Sequence, residues 1–262
     1  MAMSNMLPEI VLFGASMTEW SFREETQGLG WFLGKKYAGK TRVVNEGKAG
    51  YTSTRLKDDF TRIIDRATSP GAAPTLLFTI FIGANDAAML GETEYVPWPI
   101  FSANIRGFLE TILSEDALEN TKILLITPPP INGFVVETGE NKSAREIEDI
   151  NQWRKEGPRY KTYMSKKRYA DGIMQIAKEY EKTGRVVGLN FWQDLVHAVV
   201  TEEGWQYDEQ VPPGCGLLGA QSFPTGWFTD GLHLDIKGYR VLNNVLLELV
   251  TAKWPELAPE AL

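Results

Sequence analysis

The chain has 262 residues, a hydrophobic content of 43% and a charged content of 23%, which is the ordinary balance of a globular protein. Its net charge is −7, and this acidic balance argues against nucleic acid or an anionic membrane as the main partner. Cys215 is the sole cysteine, which excludes an internal disulfide, and its Pro/Gly-rich surroundings favour a spectator thiol.

Neither the N-terminus nor the apolar runs predict insertion into a membrane. Residues 1–8 lack a basic region followed by an apolar core, and the run Leu76–Ile82 is too short to span a bilayer. We therefore expect a cytoplasmic protein without integral membrane association. The sequence leaves the oligomeric state open, a homo-oligomer included.

The pattern of predicted elements is an alternation of strands and helices. Apolar, β-branched runs predict five buried strands, at Ile10–Gly14, Arg42–Asn45, Leu76–Gly83, Lys122–Thr127 and Arg185–Asn190. Helical patterns occupy Thr26–Tyr37, Ser53–Arg66, Ser102–Leu113, Ala144–Tyr180 and Asp235–Thr251. The fourth helical pattern should break near Gly157 and Pro158. Such an alternation predicts an α/β fold with a parallel sheet and right-handed crossovers.

Two stretches are irregular and rich in glycine, proline and polar residues: Ile131–Ser143 and Thr201–Thr229. Both would leave the edge of the sheet where the strands end, so we interpret them as lids or pocket walls. We favour this interpretation over that of linkers between two domains. We expect one domain over residues 1–262.

Three polar or glycine-rich turns directly follow the first three strands, and each carries one candidate residue: Ser16, Gly47 and Asn85. Ligands of open parallel sheets bind at the carboxyl ends of the strands, so these residues should lie at one edge. Ser16 is equally well explained as a helix N-cap. The turns of Gly47 and Asn85 are, taken singly, better explained by ordinary turn chemistry. Functionally, a backbone N–H and a side-chain amide can stabilise an oxyanion.

Two Asp-x-x-His pairs compete for the role of general base. His197 follows Asp194 in an apolar, helical stretch, which favours a packed or peripheral histidine. His233 follows Asp230 in a glycine-containing loop, where the carboxylate can orient the ring Nδ1–H while Nε2 faces the serine. We therefore predict His233 as the base. Two separated histidines and one cysteine are a poor ligand set for zinc, so no metal site is expected.

Taken together, the three turns and the Asp-x-x-His pair of Asp230 and His233 resemble the motifs of the SGNH (GDSL-type) hydrolase superfamily. Ser16, Gly47, Asn85, Asp230 and His233 occur in the order of the family's motifs. Further motifs are similar to its isoamyl acetate-hydrolysing esterase-like branch: Asn45-x-Gly47-x-x-Gly50-Tyr51, Ile82–Ala87, Thr127–Pro130 and Thr229–Leu234. The resemblance implies a flavodoxin-like three-layer α/β/α sandwich with a five-stranded parallel sheet.

The resemblance also implies the roles of these residues. Ser16 would be the nucleophile, His233 the general acid/base and Asp230 its orienting partner. The N–H groups of Ser16 and Gly47 and the Asn85 amide would form the oxyanion hole. No metal or organic cofactor is implied.

One departure from the family's motifs concerns the position before the nucleophile. Ala15 stands where the family usually has aspartate. That position is outside the triad, so the chemistry is retained, although support for the Ser16 turn is reduced.

The function predicted from these residues is hydrolysis of small-molecule, short-chain, acetate-type carboxylic esters through an acyl-enzyme. The same chemistry on O-acetylated sugars, lysophospholipids or thioesters is the first alternative, and a catalytically weakened binding module is the second. Several large side chains near the motifs could form an apolar wall, although core packing is the stronger interpretation for any one of them: Trp20, Phe22, Tyr51, Met89, Trp98, Ile131, Trp227 and Phe228.

Overall fold

The computed structural model describes residues 6–89, 95–133 and 142–262. One parallel sheet of five strands lies at its centre, in the order β2-β1-β3-β4-β5. The strands are β1 (Glu9–Gly14), β2 (Arg42–Gly47), β3 (Thr75–Phe81), β4 (Lys122–Ile126) and β5 (Val186–Leu189). This order is that of flavodoxin-like folds, as predicted.

Eight α-helices are described around the sheet. They are α1 (Ser16–Glu19), α2 (Leu29–Lys36), α3 (Lys57–Thr68), α4 (Trp98–Ser114), α5 (Ala144–Lys155), α6 (Pro158–Glu179), α7 (Phe191–Glu202) and α8 (Ile236–Lys253). Short 3₁₀ helices cover Trp20–Phe22, Asp116–Leu118, Glu181–Thr183 and Pro255–Leu257. None of the described helices is long and apolar enough to cross a membrane.

The alternation of side chains along β1 explains the three layers. Ile10 and Leu12 belong to one buried cluster, whereas Val11 and Phe13 belong to a second cluster on the opposite face. Helices α2, α7 and α8 contribute to the first cluster, α3 and α4 contribute to the second, and α6 contributes to both. Both faces of the sheet are therefore covered, which is why its central strands read as continuous apolar runs.

Several boundaries differ from the sequence predictions for identifiable reasons. Helix α2 begins after Gln27, which has a positive φ of 49°. Helix α3 begins at Lys57 because the N–H and hydroxyl of Ser53 bind a distant carboxylate instead of starting the helix. The break near Gly157 and Pro158 is confirmed, since α5 ends at Lys155 and α6 begins at Pro158.

The two irregular stretches have different outcomes. Residues 134–141 of the predicted lid Ile131–Ser143 lie outside the described residues. Thr201–Thr229 begins with the last residues of α7 and continues as turns and loops. Its loop is joined to the segment after β4, because the Gly133 N–H donates to the Gly214 carbonyl at 2.8 Å.

The topology creates a crevice beside β1. From β1 the chain moves to β2 on one side, then crosses to β3 on the other. Loops leaving β1 and β3 therefore diverge at their carboxyl ends, and ligands of such sheets bind at this switch point.

Candidate functional site

Ser16 lies at the switch point, on the turn from β1 into α1. Ala15 is the N-cap residue of α1, and its carbonyl accepts the N–H groups of Thr18 and Glu19 at 3.0 and 2.9 Å. Ser16 is buried, with 8% of its surface exposed. Because Ser16 opens the helix, its N–H is among those without an intrahelical acceptor.

A chain of hydrogen bonds joins Ser16, His233 and Asp230. The Ser16 Oγ lies 3.0 Å from the His233 Nε2, and the His233 Nδ1 lies 2.6 Å from an Asp230 carboxylate oxygen. The ring is 17% exposed. A carboxylate at Nδ1 favours the tautomer that carries its proton there, which leaves Nε2 as an acceptor for the serine hydroxyl.

The loop that carries Asp230 and His233 is fixed by its own hydrogen bonds. The second oxygen of Asp230 accepts the N–H groups of Leu232 and His233 at 2.9 and 2.8 Å. Burial alone would raise the pKa of Asp230, but the hydrogen bonds from His233 and Leu232 outweigh it and lower the pKa below its usual value. Asp230 is therefore an anion at neutral pH, as an orienting carboxylate must be.

Asn132, which follows β4, is hydrogen-bonded to the loop that carries Asp230 and His233. Its N–H donates to the Gly231 carbonyl at 2.7 Å, and its side chain makes two bonds of 2.9 Å to the Phe223 backbone. Gly231 has a φ of 83°, and a Cβ there would lie 2.9 Å from the Asn132 carbonyl oxygen. Glycine is thus required at Gly231 both by conformation and by close approach.

Gly47 ends β2 directly beside α1. A Cβ at this position would lie 2.1 Å from the Glu19 nitrogen, so only glycine allows the approach. The Gly47 N–H donates to the Asn45 Oδ1 at 3.0 Å, while the Asn45 Nδ2 donates to the Glu19 carbonyl at 2.9 Å. The Glu19 carboxylate accepts the Ala49 N–H at 2.5 Å. These contacts join the Ser16 turn to the loop after β2.

Asn85 follows β3 and is also hydrogen-bonded. Its Nδ2 donates to the Tyr51 carbonyl at 2.8 Å, which leaves the second N–H of the amide available. The next residue, Asp86, is fully buried, and its Oδ1 accepts the N–H and hydroxyl of Ser53 at 2.8 and 2.6 Å. Burial raises the pKa of Asp86 to about 6, against the opposing effect of the Ser53 hydrogen bonds. Asn104 donates to the same hydroxyl at 2.9 Å.

The two histidines lie in different surroundings. His197 is exposed on α7, whereas His233 is the histidine beside Ser16. Cys215 is buried, and burial raises the pKa of its thiol, which fits the predicted spectator. Within the described ranges, no group of three or more His, Cys, Asp or Glu side chains could hold a metal ion.

The predicted apolar wall is mostly core. Ile131, Trp227 and Phe228 are buried, and Phe22 and Trp98 pack against the two core clusters. Three of the eight side chains remain candidates for lining the site: Tyr51 and Met89, which are 37% and 41% exposed, and Trp20, whose ring contacts His233. Sequence reasoning did not identify the supporting roles of Asn132 and Asp86, because their contacts are tertiary.

Comparisons of the sequence with family models and with known proteins agree on one family. The family model for GDSL-like lipase/acylhydrolase matches residues 10–246. A GDSL esterase/lipase of Arabidopsis thaliana is 30% identical over 97% of this chain and 89% of its own length. An isoamyl acetate-hydrolyzing esterase of Saccharomyces cerevisiae is 25% identical over 96% of this chain and 90% of its own.

The mammalian relatives match over a shorter range. An isoamyl acetate-hydrolyzing esterase 1 homolog of Mus musculus is 35% identical over 47% of this chain. The match spans about half the length of that relative, at 49%.

Solved structures agree on the fold. A catalytic mutant of an acetylxylan esterase from Geobacillus stearothermophilus has a TM-score of 0.60 at 17% identity, covering 94% of this chain and 95% of that one. The predicted resemblance and fold are thus confirmed. The chain belongs to the GDSL-like lipase/acylhydrolase family.

Proposed function

We propose that this protein is a serine esterase that hydrolyses short-chain, acetate-type carboxylic esters through an acyl-enzyme, within a single hydrolase domain. The observation that carries the proposal is the hydrogen-bond chain from the Ser16 Oγ through both ring nitrogens of His233 to Asp230, at 3.0 and 2.6 Å. A nucleophile, its base and an orienting carboxylate in this geometry are the parts needed for acyl transfer.

In the first half-reaction, the His233 Nε2 accepts the Ser16 proton as the Oγ attacks the ester carbonyl. The imidazolium forms beside the Asp230 carboxylate, which stabilises it without taking the proton. Collapse of the tetrahedral intermediate expels the alcohol oxygen, and His233 returns its proton to that oxygen. Water then attacks the acyl-serine, and the same base accepts the water proton and returns it to the Ser16 oxygen.

Three neutral donors would stabilise the oxyanion: the N–H groups of Ser16 and Gly47 and the Asn85 amide. Asn85 can keep its bond to the Tyr51 carbonyl and still offer its second N–H. The Gly47 N–H is engaged by Asn45 at 3.0 Å, so it must be shared or released when the oxyanion forms. Sharing keeps the Asn45 side chain in place, whereas release requires it to move slightly.

The preference for acetate-type esters is supported by the relatives. The Saccharomyces and mouse proteins are named for isoamyl acetate hydrolysis, and the Geobacillus structure is an acetylxylan esterase. These names share a small acetyl group, while the alcohol parts differ. We therefore propose selectivity for the acyl group, with an uncharged small-molecule ester as substrate.

A p-nitrophenyl ester series of increasing acyl length tests the proposal directly. We expect the highest kcat/KM for acetate or butyrate, and a loss of about ten-thousand-fold or more in Ser16→Ala. A fluorophosphonate probe should label Ser16, as mapped by peptide mass spectrometry, and Ser4→Ala should leave labelling unchanged. Turnover that survives in Ser16→Ala would refute the assignment, and inertness of the intact chain toward every ester would favour a binding module.

A further inference from the structure

One aromatic side chain packs directly on the proposed general base. Trp20 opens the 3₁₀ helix Trp20–Phe22, immediately after α1, which begins with Ser16. The centroids of the Trp20 and His233 rings lie 4.4 Å apart, with an angle of 53° between the ring planes. The Arg23 guanidinium carbon lies 5.0 Å from the centroid of the same indole ring. Trp20 thus contacts two groups that can carry positive charge.

We propose that Trp20 is a positioning residue that holds the His233 ring toward Ser16 and favours its protonated form, while Arg23 opposes that protonation. The inference rests on the proposed esterase function, in which His233 becomes an imidazolium during each half-reaction. The Trp20 side chain packs on the base, whereas its bond to Ser16 is made by the backbone, from the Trp20 N–H to the Ser16 carbonyl. The indole therefore acts on the nucleophile through His233.

The positioning argument follows from the chain order. Ser16 and Trp20 belong to one continuous helical segment, with α1 running directly into the 3₁₀ helix. The indole therefore moves with the nucleophile, and its contact fixes the imidazole relative to the Ser16 Oγ. Asp230 holds the opposite side of the ring at Nδ1. The carboxylate alone fixes one atom, whereas a packed indole also restricts ring tilt.

The electrostatic argument follows from the electron distribution of the indole. The π face of tryptophan attracts cations, and this attraction amounts to about 0.5–1 kcal/mol at exposed sites. It stabilises an imidazolium more than a neutral imidazole. The Arg23 guanidinium lies on the same Trp20 ring and is also positively charged, so it disfavours a positive charge on His233. Arg23 is exposed, so its effect should weaken as salt is raised.

Other ionisable groups around His233 also act on its protonation. Asp230 lies on the same loop and favours the imidazolium. Lys166 of α6 is fully buried, with no hydrogen-bond partner for its Nζ in the described part of the chain. Burial lowers the pKa of Lys166 to about 7, and the charge of Asp230 partly opposes this. Because the charges of Lys166 and Asp230 affect each other, titrations must be compared between variants at matched pH and salt.

A second tryptophan offers a matched control. The Lys35 Nζ lies 5.5 Å from the ring centroid of Trp31 on α2, and Trp31 makes no ring contact with His233 within the described ranges. Trp31→Leu and Lys35→Gln therefore remove an equivalent indole and an equivalent cation away from the site. Neither should change the rate or the titration of His233.

The experiment is an NMR titration of the imidazole signals in the full chain labelled with ¹⁵N-histidine. The protein has only two histidines, and His197→Gln assigns the pair. We expect Trp20→Leu to lower the titration midpoint of His233 by about half a pH unit, equivalent to about 0.7 kcal/mol at 1.36 kcal/mol per unit. Arg23→Gln should raise it by about 0.3 unit at low salt, and by less at high salt.

The kinetic readout completes the test. Trp20→Leu should lower kcat by about tenfold with KM changed less than about twofold, and Trp20→Phe should restore most of the rate because it keeps an aromatic face. The acidic limb of the pH profile should move with the NMR midpoint.

The outcomes separate this inference from the proposed function. Midpoints that do not move, or that move in the same direction for Trp20→Leu and Arg23→Gln, would overturn the role of Trp20 even if turnover depends on Ser16. Turnover that persists in Ser16→Ala would instead overturn the esterase mechanism, and the NMR titration would still decide the contact. If Trp20→Leu does not fold, Trp20→Phe and Arg23→Gln carry the same test, with only Arg23→Gln expected to shift the midpoint.

Discussion

Ionisation of Asp86 should cost the folded protein stability at neutral pH. The side chain is fully buried, and its Oδ2 has no hydrogen-bond partner within the described residues. Burial raises the pKa of Asp86 from 3.8 to about 6. A rise of about two pH units corresponds to about 3 kcal/mol at 1.36 kcal/mol per unit.

The sign follows from proton binding. Between pH 4 and 6 the folded state holds the Asp86 proton more strongly than the unfolded state does. The contribution of this group to the free energy of unfolding is therefore complete below about pH 4 and is lost as pH rises through about 6. Above that pH, the carboxylate remains charged in the interior at a cost of about 3 kcal/mol.

Asp86→Asn isolates this contribution. The amide oxygen can still accept the N–H and hydroxyl of Ser53, so the geometry is retained. An amide NH₂ in the Oδ2 position adds a pH-independent penalty of about 1–3 kcal/mol if it finds no acceptor. The free energy of unfolding of the variant minus that of the wild type should nevertheless rise by about 3 kcal/mol between pH 4 and pH 8.

Urea unfolding at a series of pH values measures this difference, because titrations common to both proteins cancel. Ser53→Ala is the matched variant. It removes the hydroxyl hydrogen bond that lowers the pKa of Asp86, so the total loss of stability with rising pH should be larger than in the wild type and should extend to higher pH. A difference between Asp86→Asn and wild type that stays constant with pH would show that Asp86 is not penalised by burial, and would refute the reasoning.

Two further predictions concern the proposed machinery. His233→Ala should abolish turnover, whereas His197→Ala on the exposed face of α7 should leave kcat within about an order of magnitude, as steady-state kinetics would show. The reverse pattern would show that His197, and not His233, is the base. Asn85→Ala should lower kcat by about a hundred- to thousand-fold with a smaller effect on KM, because its free N–H matters most when charge develops on oxygen. A change confined to KM would make Asn85 a substrate-binding residue.

The fold could be predicted from the sequence because its central strands are buried on both faces. Such strands are continuous runs of β-branched and apolar residues, which propensity and length distinguish from helices. Helix starts were less predictable. Ser53 has the residue type of an N-cap, but its N–H and hydroxyl are used by Asp86, a partner 33 residues away. Pairing at that distance is invisible to local patterns.

The candidate site shows the same division between local and tertiary information. The order of the motifs and the loop context of His233 led to the three residues that the structure places in one hydrogen-bond chain. The contacts of Trp20 and Asn132 with that loop depend on how distant segments pack, so no local signal could reveal them. The engagement of the Gly47 N–H by Asn45 was equally unpredictable.

Ala15 offers a test of how firmly the Ser16 turn is held. It is the N-cap residue of α1, it makes no side-chain cap hydrogen bond, and it is 5% exposed. Aspartate is among the preferred N-cap residues, and its carboxylate could accept N–H groups of the first turn, a gain of about 1 kcal/mol. A buried carboxylate that lacks such partners would instead cost stability. The outcome depends on which of these two effects is larger.

We expect the cap to dominate in Ala15→Asp, because the N–H groups of Ser16 and Met17 at the start of α1 have no intrahelical acceptor and the helix has only four residues. The variant should raise kcat/KM, or raise Tm by about 2–4 °C, and should not lower both. Calorimetry and ester kinetics measure the two quantities, and Ala15→Asn separates the cap oxygen from its charge. If asparagine stabilises and aspartate does not, burial of the charge outweighs the cap. If both variants are slower and less stable, the turn is built around alanine, with Glu19 and Asn45 supplying the contacts that hold it against the loop after β2.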